Sequence, residues 1–389
     1  MSTRDDQMDY PLVRTEPRKS GTSGGRRVLV TGLGTFWGGR VAQALEADPD
    51  VDVIVGLDVF EPTVELERTE YVRVDANYSI LSRIVRATQV DTIIHTFLVV
   101  DPTMMSTRSM HEINVIGTMN LFAAASTPDS TVRDVIVKSS TMVYGSAPED
   151  PTWFTEDSER SRRATQPIER SLEAVEGYVR DFAEDNPHVN VALMRFSNVV
   201  GAEIETPLTR LLQAPLVPSL AGFDPRFQFV HERDVVRALL FAFDHHIAGI
   251  YNVAGDEQIP WSEVARLCGR RTLPFPPYGT SLIAGPLRRL GLLNLPDEYE
   301  MLLKYGRGVD NSKFKRAGFE YLYSSAEAVE EFIESLRLRR TIGAHRPAYR
   351  YERDVEQFFR HSPAVVRERP TRDSEATRTP RSAGGYEEA

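Results

Sequence analysis

The 389-residue chain has a single cysteine, Cys268, and no long apolar run. One cysteine excludes an internal disulfide framework and a cysteine-rich metal site, and the eight histidines show no metal-ligand spacing. No segment approaches the ~18 apolar residues that cross a bilayer, and residues 1–26 lack the apolar core of a secretory signal. We therefore expect a cytoplasmic protein with no metal and no membrane span.

Basic excess is also missing, because 46 Lys and Arg stand against 56 Asp and Glu, which gives a net charge of −10. Binding to the phosphate backbone needs a net or local basic excess, so we expect no nucleic-acid partner. One basic stretch precedes the C-terminal tail, and it is either a solvated face or a contact for an acidic partner or a membrane surface. Its arginines are Arg337, Arg339, Arg340, Arg346, Arg350 and Arg353.

The two ends of the chain lack the apolar residues that form a core. Residues 1–26 mix Asp, Arg, Ser and Gly, and residues 362–389 interleave Arg and Glu with Pro and Ser. Such segments bury too little apolar surface to offset the entropy of ordering. We expect a disordered head, a disordered tail and a folded body over residues 27–361, with the ends open to protein partners.

Within the body, short apolar runs alternate with longer segments of helical apolar spacing. The runs are Val28–Thr31, Val53–Leu57, Thr92–His95, Val135–Lys138 and Val191–Arg195. The helical segments are Arg40–Ala47, Ser79–Thr88, Asn114–Ser126 and Glu169–Glu184. This alternation predicts an α/β fold with a doubly wound parallel sheet over residues 27–200. Residues 201–361 are irregular and proline-rich, which predicts a smaller C-terminal substrate lobe with further helices.

A glycine-rich turn follows the first run, at the strand end where such sheets bind ligands. Gly32 permits a tight turn, Gly38 lets the next helix pack closely, and that helix directs its N-terminal amides at a phosphate. Asp58 ends the second run, where a carboxylate accepts bonds from ribose hydroxyls and repels a 2′-phosphate. The pattern predicts NAD rather than NADP. The expected cofactor contacts are Gly32, Gly34, Thr35, Phe36, Trp37, Gly38, Asp58, Asp75 (to the adenine amino group) and His95.

A structural role is the alternative for several of these residues. The glycines can simply shape a tight connection, and Asp58 and Asp75 can cap helices. His95 is either a proton carrier or a hydrogen-bonded core histidine. Lys138 is either a cation near the cofactor or a lysine that reaches solvent from the strand end.

Taken with the turn, later segments resemble the extended short-chain dehydrogenase/reductase family, the NAD-dependent epimerases and dehydratases related to UDP-glucose 4-epimerase. The resemblance covers about residues 27–330, and its landmarks are Ile93–His95, Asn114–Thr118, Val137–Gly145, Arg195–Gly201, Phe229–Asp234 and Tyr251–Gly255. It implies an NAD cofactor, a nucleotide-sugar substrate and a Rossmann domain. It also implies a homodimer that pairs helices such as Ile168–Glu184, where apolar Leu172 and Val175 are compatible with an interface.

The same resemblance implies roles for individual residues. Ser140 would bond the reacting sugar hydroxyl and Asn198 the nucleotide diphosphate, with Thr141 and Arg226 as further substrate contacts. The residues alone favour a structural role, with Ser139 to Thr141 as a strand-end turn that caps the next segment and Asn198 as a loop residue that bonds its own backbone.

The family's catalytic Tyr-x-x-x-Lys pair is missing. The tyrosine takes the hydroxyl proton, and the lysine one helical turn later lowers its pKa. No tyrosine in this chain has lysine four residues later, and Ile168 and Leu172 occupy the two positions. Thr35 replaces the middle glycine of the turn, and Phe227 replaces an arginine of many epimerases, with Arg226 beside it.

Three hypotheses follow. The first is an NAD-binding protein that acts on or senses a nucleotide sugar and has lost the Tyr/Lys redox catalysis. The second is an active NAD-dependent epimerase, dehydratase or reductase that uses Ser140 and a relocated base. The third is a scaffold that binds no cofactor.

Overall fold

The computed structural model describes residues 25–74, 78–99, 101, 105–276, 298–342, 358–359 and 362–366. Asp75, nearly all of the predicted head, most of the tail and most of the arginine stretch lie outside these residues. Within them, no helix is long and apolar enough to cross a membrane. The same residues contain no cluster of three or more His, Cys, Asp or Glu that could hold a metal ion.

A seven-stranded, all-parallel sheet forms the centre of the protein, which confirms the predicted fold class. The strands are β1 (Arg26–Thr31), β2 (Val51–Asp58), β3 (Glu70–Arg73), β4 (Thr92–His95), β5 (Asp134–Ser140), β6 (Asn190–Phe196) and β11 (Gly249–Val253). Their spatial order across the sheet is β11, β6, β5, β4, β1, β2 and β3. Because helices cover both faces, most strand residues are buried, as the continuous apolar runs predict.

Helices pack on each face of the sheet. The helices beside the central sheet are α1 (Phe36–Glu46), α2 (Tyr78–Thr88), α3 (Thr107–His111), α4 (Gly117–Ala125), α5 (Pro167–Asp185) and α7 (Glu232–His245), with a π-helical turn, Glu112–Ile116, joining α3 to α4. Leu29 of β1 belongs to the apolar cluster under α2, α4 and α5, whereas its neighbours Val28 and Val30 belong to the cluster under α1 and α7. Alternate residues of a strand point to opposite faces, so these clusters are the two sides of the sheet.

Two elements that follow residue 200 pack in the nucleotide-binding layer. Strand β11 pairs in parallel with β6 and closes one edge of the central sheet, and α7 packs against α1. Residues 232–253 therefore belong to the nucleotide-binding layer, although they follow the irregular segment. The physical reason is long-range pairing, because the run Gly249–Val253 gains its place only from its contact with β6.

The smaller lobe has short two-stranded sheets and its own apolar cluster. Its elements are β7 (Asn198–Val200), α6 (Pro207–Gln213), β8 (Leu216–Leu220), β9 (Arg226–Phe227), β10 (Phe229–His231), β12 (Ile259–Pro260), α8 (Trp261–Leu267), β13 (Arg271–Phe275), α9 (Glu298–Tyr305), α10 (Ser312–Arg316) and α11 (Ser325–Ile342). Trp261 is its largest fully buried side chain, and its indole N–H donates to the Pro218 carbonyl at 2.8 Å.

The first residues of the predicted tail pack on the body. Val366 donates its amide to the Ala87 carbonyl at 2.7 Å, and the Arg27 guanidinium donates to the Ala364 carbonyl at 2.5 Å. Ser362 is completely buried. Residues 362–366 therefore pack on the body beside α2, because a few apolar residues stand amid the charged sequence.

Candidate functional site

The glycine-rich turn has the close approaches that the sequence predicts. Gly32 has φ +78°, a conformation that side chains rarely adopt, and an added Cβ would lie 2.9 Å from the backbone of Phe97. A Cβ on Gly38 would lie 2.1 Å from the Gly32 carbonyl oxygen. The turn and the start of α1 are therefore in contact, and only glycine fits at these two positions.

Thr35 is the N-cap of α1. Its hydroxyl donates to the Gly32 carbonyl at 2.6 Å and accepts from the Gly38 amide at 3.2 Å. The hydroxyl is thus used inside the turn rather than directed at a pyrophosphate. The amides of Phe36 and Trp37, the first two helical residues, have no carbonyl within the helix to bond and are the groups available to an anion.

Asp58 is held under the turn at the end of β2. Its carboxylate accepts amide protons from Gly34 at 2.8 Å, Val59 at 2.7 Å and Phe60 at 3.0 Å. Burial raises its pKa, and these three bonds oppose that shift. A carboxylate has about four acceptor positions, so one remains for a ribose hydroxyl. The side chain of Phe60 beside it is 54% exposed and forms an apolar rim.

His95 is a core histidine in this structure. Its Nδ1 lies 2.6 Å from the Thr31 hydroxyl and its Nε2 lies 2.9 Å from the Thr118 hydroxyl. Because the Thr118 hydroxyl donates its proton to the Asn114 carbonyl, Nε2 carries the imidazole proton and Nδ1 accepts. Burial lowers the pKa of His95 to about 4. Both ring nitrogens are occupied, so the imidazole has none left for a cofactor.

Ser140 ends β5 and caps the 3₁₀ turn Thr141–Tyr144. Its Oγ accepts from the Met142 amide at 3.2 Å, and its own proton stays free to donate. Thr141 is buried, whereas Met142 lines the pocket beside it. The structure thus gives Ser140 the capping role and places Met142, rather than Thr141, at the pocket.

Helix α5 presents neither of the expected catalytic positions to a pocket. Ile168 and Leu172 are both 0% exposed and belong to the apolar cluster between the sheet, α4 and α5. Val175, one turn further on, is buried in the same cluster. The adjacent residue, Glu169, is not part of this cluster. It lines a pocket, and its carboxylate pairs with the Arg160 guanidinium at 2.7 Å.

A small pocket opens between α5, the strand ends and the smaller lobe. Asn198 lines it and donates its side-chain amide to the Gln228 carbonyl at 2.9 Å. Arg307 lies opposite, and burial lowers its pKa to about 10 while the charge of Glu169 opposes that shift. Arg307 donates one bond to the Gly145 carbonyl at 3.1 Å, but its buried Nε has no partner among the described residues. The full lining is Met142, Ser146, Glu169, Asn198, Tyr299, Met301, Leu302 and Arg307.

Arg226 is not part of this pocket. It is exposed, and among the described residues its guanidinium donates only to the Gln258 carbonyl, at 3.4 Å. Phe227 beside it is completely buried in the smaller lobe. The arginine that the pocket does contain, Arg307, pairs through its backbone with Phe227 in an isolated β-bridge.

A buried polar network links α5 to the ends of β5 and β6. Glu176 of α5 accepts the Ser139 hydroxyl at 2.7 Å and binds the Arg195 guanidinium with both oxygens. Arg195 in turn donates to the Tyr144 hydroxyl at 2.7 Å, and Tyr144 donates to Asn252 at 2.8 Å. Burial raises the pKa of Tyr144, so its phenol is a structural donor and not a base.

Sequence reasoning missed Arg307 and Glu169. Arg307 lies 109 positions after Asn198, and nothing in its local sequence marks it as a pocket residue. Glu169 directly follows Ile168, and a glutamate there does not match the family's tyrosine. The apolar spacing of α5 offers a signal, because Ile168, Leu172 and Val175 mark its buried face and Glu169 lies off that face.

Comparison with known proteins gives a consistent picture. The model of the NAD dependent epimerase/dehydratase family matches residues 28–254. An uncharacterised protein of Mycobacterium tuberculosis is 33% identical over 325 residues, which is 82% of this chain and 86% of that protein.

Two solved structures share the fold. One is UDP-glucose 4-epimerase of Thermotoga maritima with UDP-glucose, at TM-score 0.62 and 18% identity over 81% of this chain and 99% of that one. The other is the dTDP-glucose 4,6-dehydratase DesIV of Streptomyces venezuelae with NAD bound, at TM-score 0.62 and 23% identity over 81% of this chain and 98% of that one. The resemblance predicted from sequence is confirmed: the chain belongs to the NAD dependent epimerase/dehydratase family.

Proposed function

We propose that this protein binds NAD on the Gly32–Gly38 turn and a nucleotide sugar in the pocket around Asn198 and Arg307, without the hydride transfer that a Tyr/Lys pair supports. The observation that carries the proposal is the complete burial of Ile168 and Leu172. An active site needs a proton acceptor beside the reacting hydroxyl, and α5 supplies none at these positions.

The cofactor half of the proposal rests on the turn and on Asp58. The two close-packed glycines, the free amides at the start of α1 and the remaining acceptor position of Asp58 form a set that fits a dinucleotide. The family to which the chain belongs is NAD dependent, and the solved structure of DesIV contains bound NAD. The Asp58 carboxylate would repel the 2′-phosphate of NADP, so NAD is favoured over NADP.

The substrate half rests on Arg307. A buried guanidinium whose Nε has no partner among the described residues is a strong donor to a diphosphate, and Asn198 lines the same pocket. The Thermotoga maritima epimerase with UDP-glucose shares this fold. A nucleoside diphosphate sugar is therefore the ligand class that we propose for the pocket.

Active catalysis is the second candidate, and Glu169 is the observation that favours it. Its carboxylate faces the pocket one residue after the family's tyrosine position. A carboxylate can take a proton during oxidation of a sugar hydroxyl, and the ion pair with Arg160 orients the carboxylate of Glu169. Ser140 would then donate to the same hydroxyl.

Other features stay proposals. We expect the two ends of the chain to be open to protein partners, residues 201–231, 254–276 and 298–342 to form the substrate lobe, the chain to dimerise and the cytoplasm to be its compartment.

Isothermal titration calorimetry with NAD, NADP and UDP-glucose tests the proposal. We expect NAD to bind more tightly than NADP, and UDP-glucose to bind wild-type protein but not Arg307→Met, with Arg226→Met as the matched surface control. Binding of no dinucleotide at all would favour the scaffold hypothesis and overturn the proposal. Turnover of UDP-glucose that is lost in Glu169→Gln would favour the second candidate.

A further inference from the structure

Lys138 is a buried cation on β5, two residues before Ser140. Its side chain is 3% exposed, although lysine is almost never fully buried without a partner. Among the described residues its ammonium makes no hydrogen bond and no ion pair. Burial alone lowers its pKa to about 8, with no carboxylate contributing to the shift. A group of this kind costs stability, so a ligand that pairs with it would recover that cost.

Two aromatic rings hold the ammonium. Nζ lies 4.3 Å from the centroid of the Trp37 ring and 5.7 Å from that of Phe196. Trp37 is the second residue of α1, next to the turn, and Phe196 ends β6. These contacts fix the charge beside the first turn of the helix whose N-terminal amides are available to a phosphate.

The position of Lys138 differs from that of the family's lysine. Trp37 and Phe196 belong to the cluster under α1 and α7, whereas Leu172 belongs to the cluster on the opposite face of the sheet. Lys138 therefore cannot support a base on α5, but it does lie on the face of the sheet that carries the dinucleotide turn.

We propose that Lys138 is a cofactor-binding residue whose ammonium compensates the charge of the dinucleotide pyrophosphate held at the start of α1. This inference rests on the proposed function. A pyrophosphate carries two negative charges, and the helix N-terminus offers only about half a positive charge. Thr35 uses its hydroxyl inside the turn, so the lysine supplies the attraction that the turn lacks.

The test compares NAD with ADP-ribose, which retains the pyrophosphate and lacks nicotinamide. In titration calorimetry, Lys138→Met and Lys138→Gln should each weaken NAD and ADP-ribose by the same factor, about tenfold for one lost charge contact. Lys313→Met is the matched control, because Lys313 also lies over an aromatic ring, that of Tyr251 at 5.1 Å, and it is remote from the turn. Thermal unfolding of each variant checks that it folds.

Two results would overturn the inference. Unchanged affinity of both Lys138 variants for NAD would show that the ammonium does not sense the cofactor. Loss of NAD affinity with unchanged ADP-ribose affinity would place the lysine at the nicotinamide end instead. Failure of wild-type protein to bind NAD would instead reject the proposed function itself, so the two failures are distinguishable.

Discussion

Ile168 and Leu172 lie one helical turn apart on α5, and both side chains are completely enclosed between that helix, α4 and the sheet. In an enzyme that uses the Tyr-x-x-x-Lys pair, these two positions carry polar groups at the reacting centre. Here they are part of the core. The family's fold is retained, and we propose that apolar packing at these two positions has replaced the Tyr/Lys proton transfer.

Reinstalling the pair should therefore damage the fold rather than restore chemistry. Leu172→Lys places an ammonium without a partner in an apolar cluster, which should cost about 3 kcal/mol or more of unfolding free energy. Denaturant unfolding measures this, with Arg170→Lys, an exposed position of the same helix, as the control that should change stability by less than about 0.5 kcal/mol. Equal stability of the two variants would contradict the buried position of Leu172.

We expect the β-carbon of Thr35 to limit how closely a cofactor approaches the turn. Thr35→Gly removes the β-carbon and should tighten NAD binding, while the loss of the cap should cost only about 0.3 kcal/mol of stability. Thr35→Ser keeps the hydroxyl bonds and is the control for the cap. Measurements of NAD affinity and of thermal unfolding on the same variants separate the two effects. Weaker NAD binding by Thr35→Gly would contradict the prediction.

Asp58 should set the choice between NAD and NADP. Asp58→Asn removes the charge that repels a 2′-phosphate, so the NAD preference should fall by about tenfold or more. Glu61→Gln, an exposed neighbour on the same loop, is the control and should leave the preference intact. Because three backbone amides also bond to Asp58, a thermal shift must show that the variant keeps its fold.

His95 should stay neutral through the physiological range. Its folded pKa of about 4 lies below its ordinary value of 6.5, so the unfolded chain binds more protons between these pH values. Stability from this group is complete above about pH 6.5 and is lost as the pH falls toward 4, by up to about 3 kcal/mol. NMR titration of the imidazole checks the pKa, and a titration midpoint near 6.5 would refute the buried, doubly bonded placement.

A homodimer that pairs helices as in the family must use residues other than Leu172 and Val175. Leu172 and Val175 are buried within the monomer, whereas Ile116, Met119 and Tyr178 leave apolar surface exposed beside or on α4 and α5. We predict a homodimer that Met119→Asp and Tyr178→Asp convert to monomer in sedimentation velocity. Leu322→Asp changes an exposed apolar residue elsewhere and should leave the dimer intact.

The strands and the cofactor turn were predictable because they depend on local pattern. Thr92–His95 forms a strand over the residues expected, since a continuous apolar run suits a strand buried on both faces. Gly32 and Gly38 gave a signal because a close approach tolerates no other residue. The N-cap role of Thr35 also had a local signal, as threonine directly precedes the helix.

The pocket could not be predicted in the same way. Arg307 reaches it through a bridge to Phe227, and strand β11 joins the sheet only by pairing with β6. These are contacts between residues far apart in sequence. Ser140 was chosen by resemblance, while its capping bond to Met142 follows from the local turn.

An absorbance measurement decides whether this protein transfers hydride to NAD. Wild-type protein saturated with NAD is mixed with excess UDP-glucose, and the NADH absorbance is followed for one turnover and then for many. We predict that calorimetry detects NAD and sugar-nucleotide binding while no NADH forms and no UDP-galactose accumulates. Appearance of NADH or UDP-galactose at a rate proportional to protein concentration would contradict it.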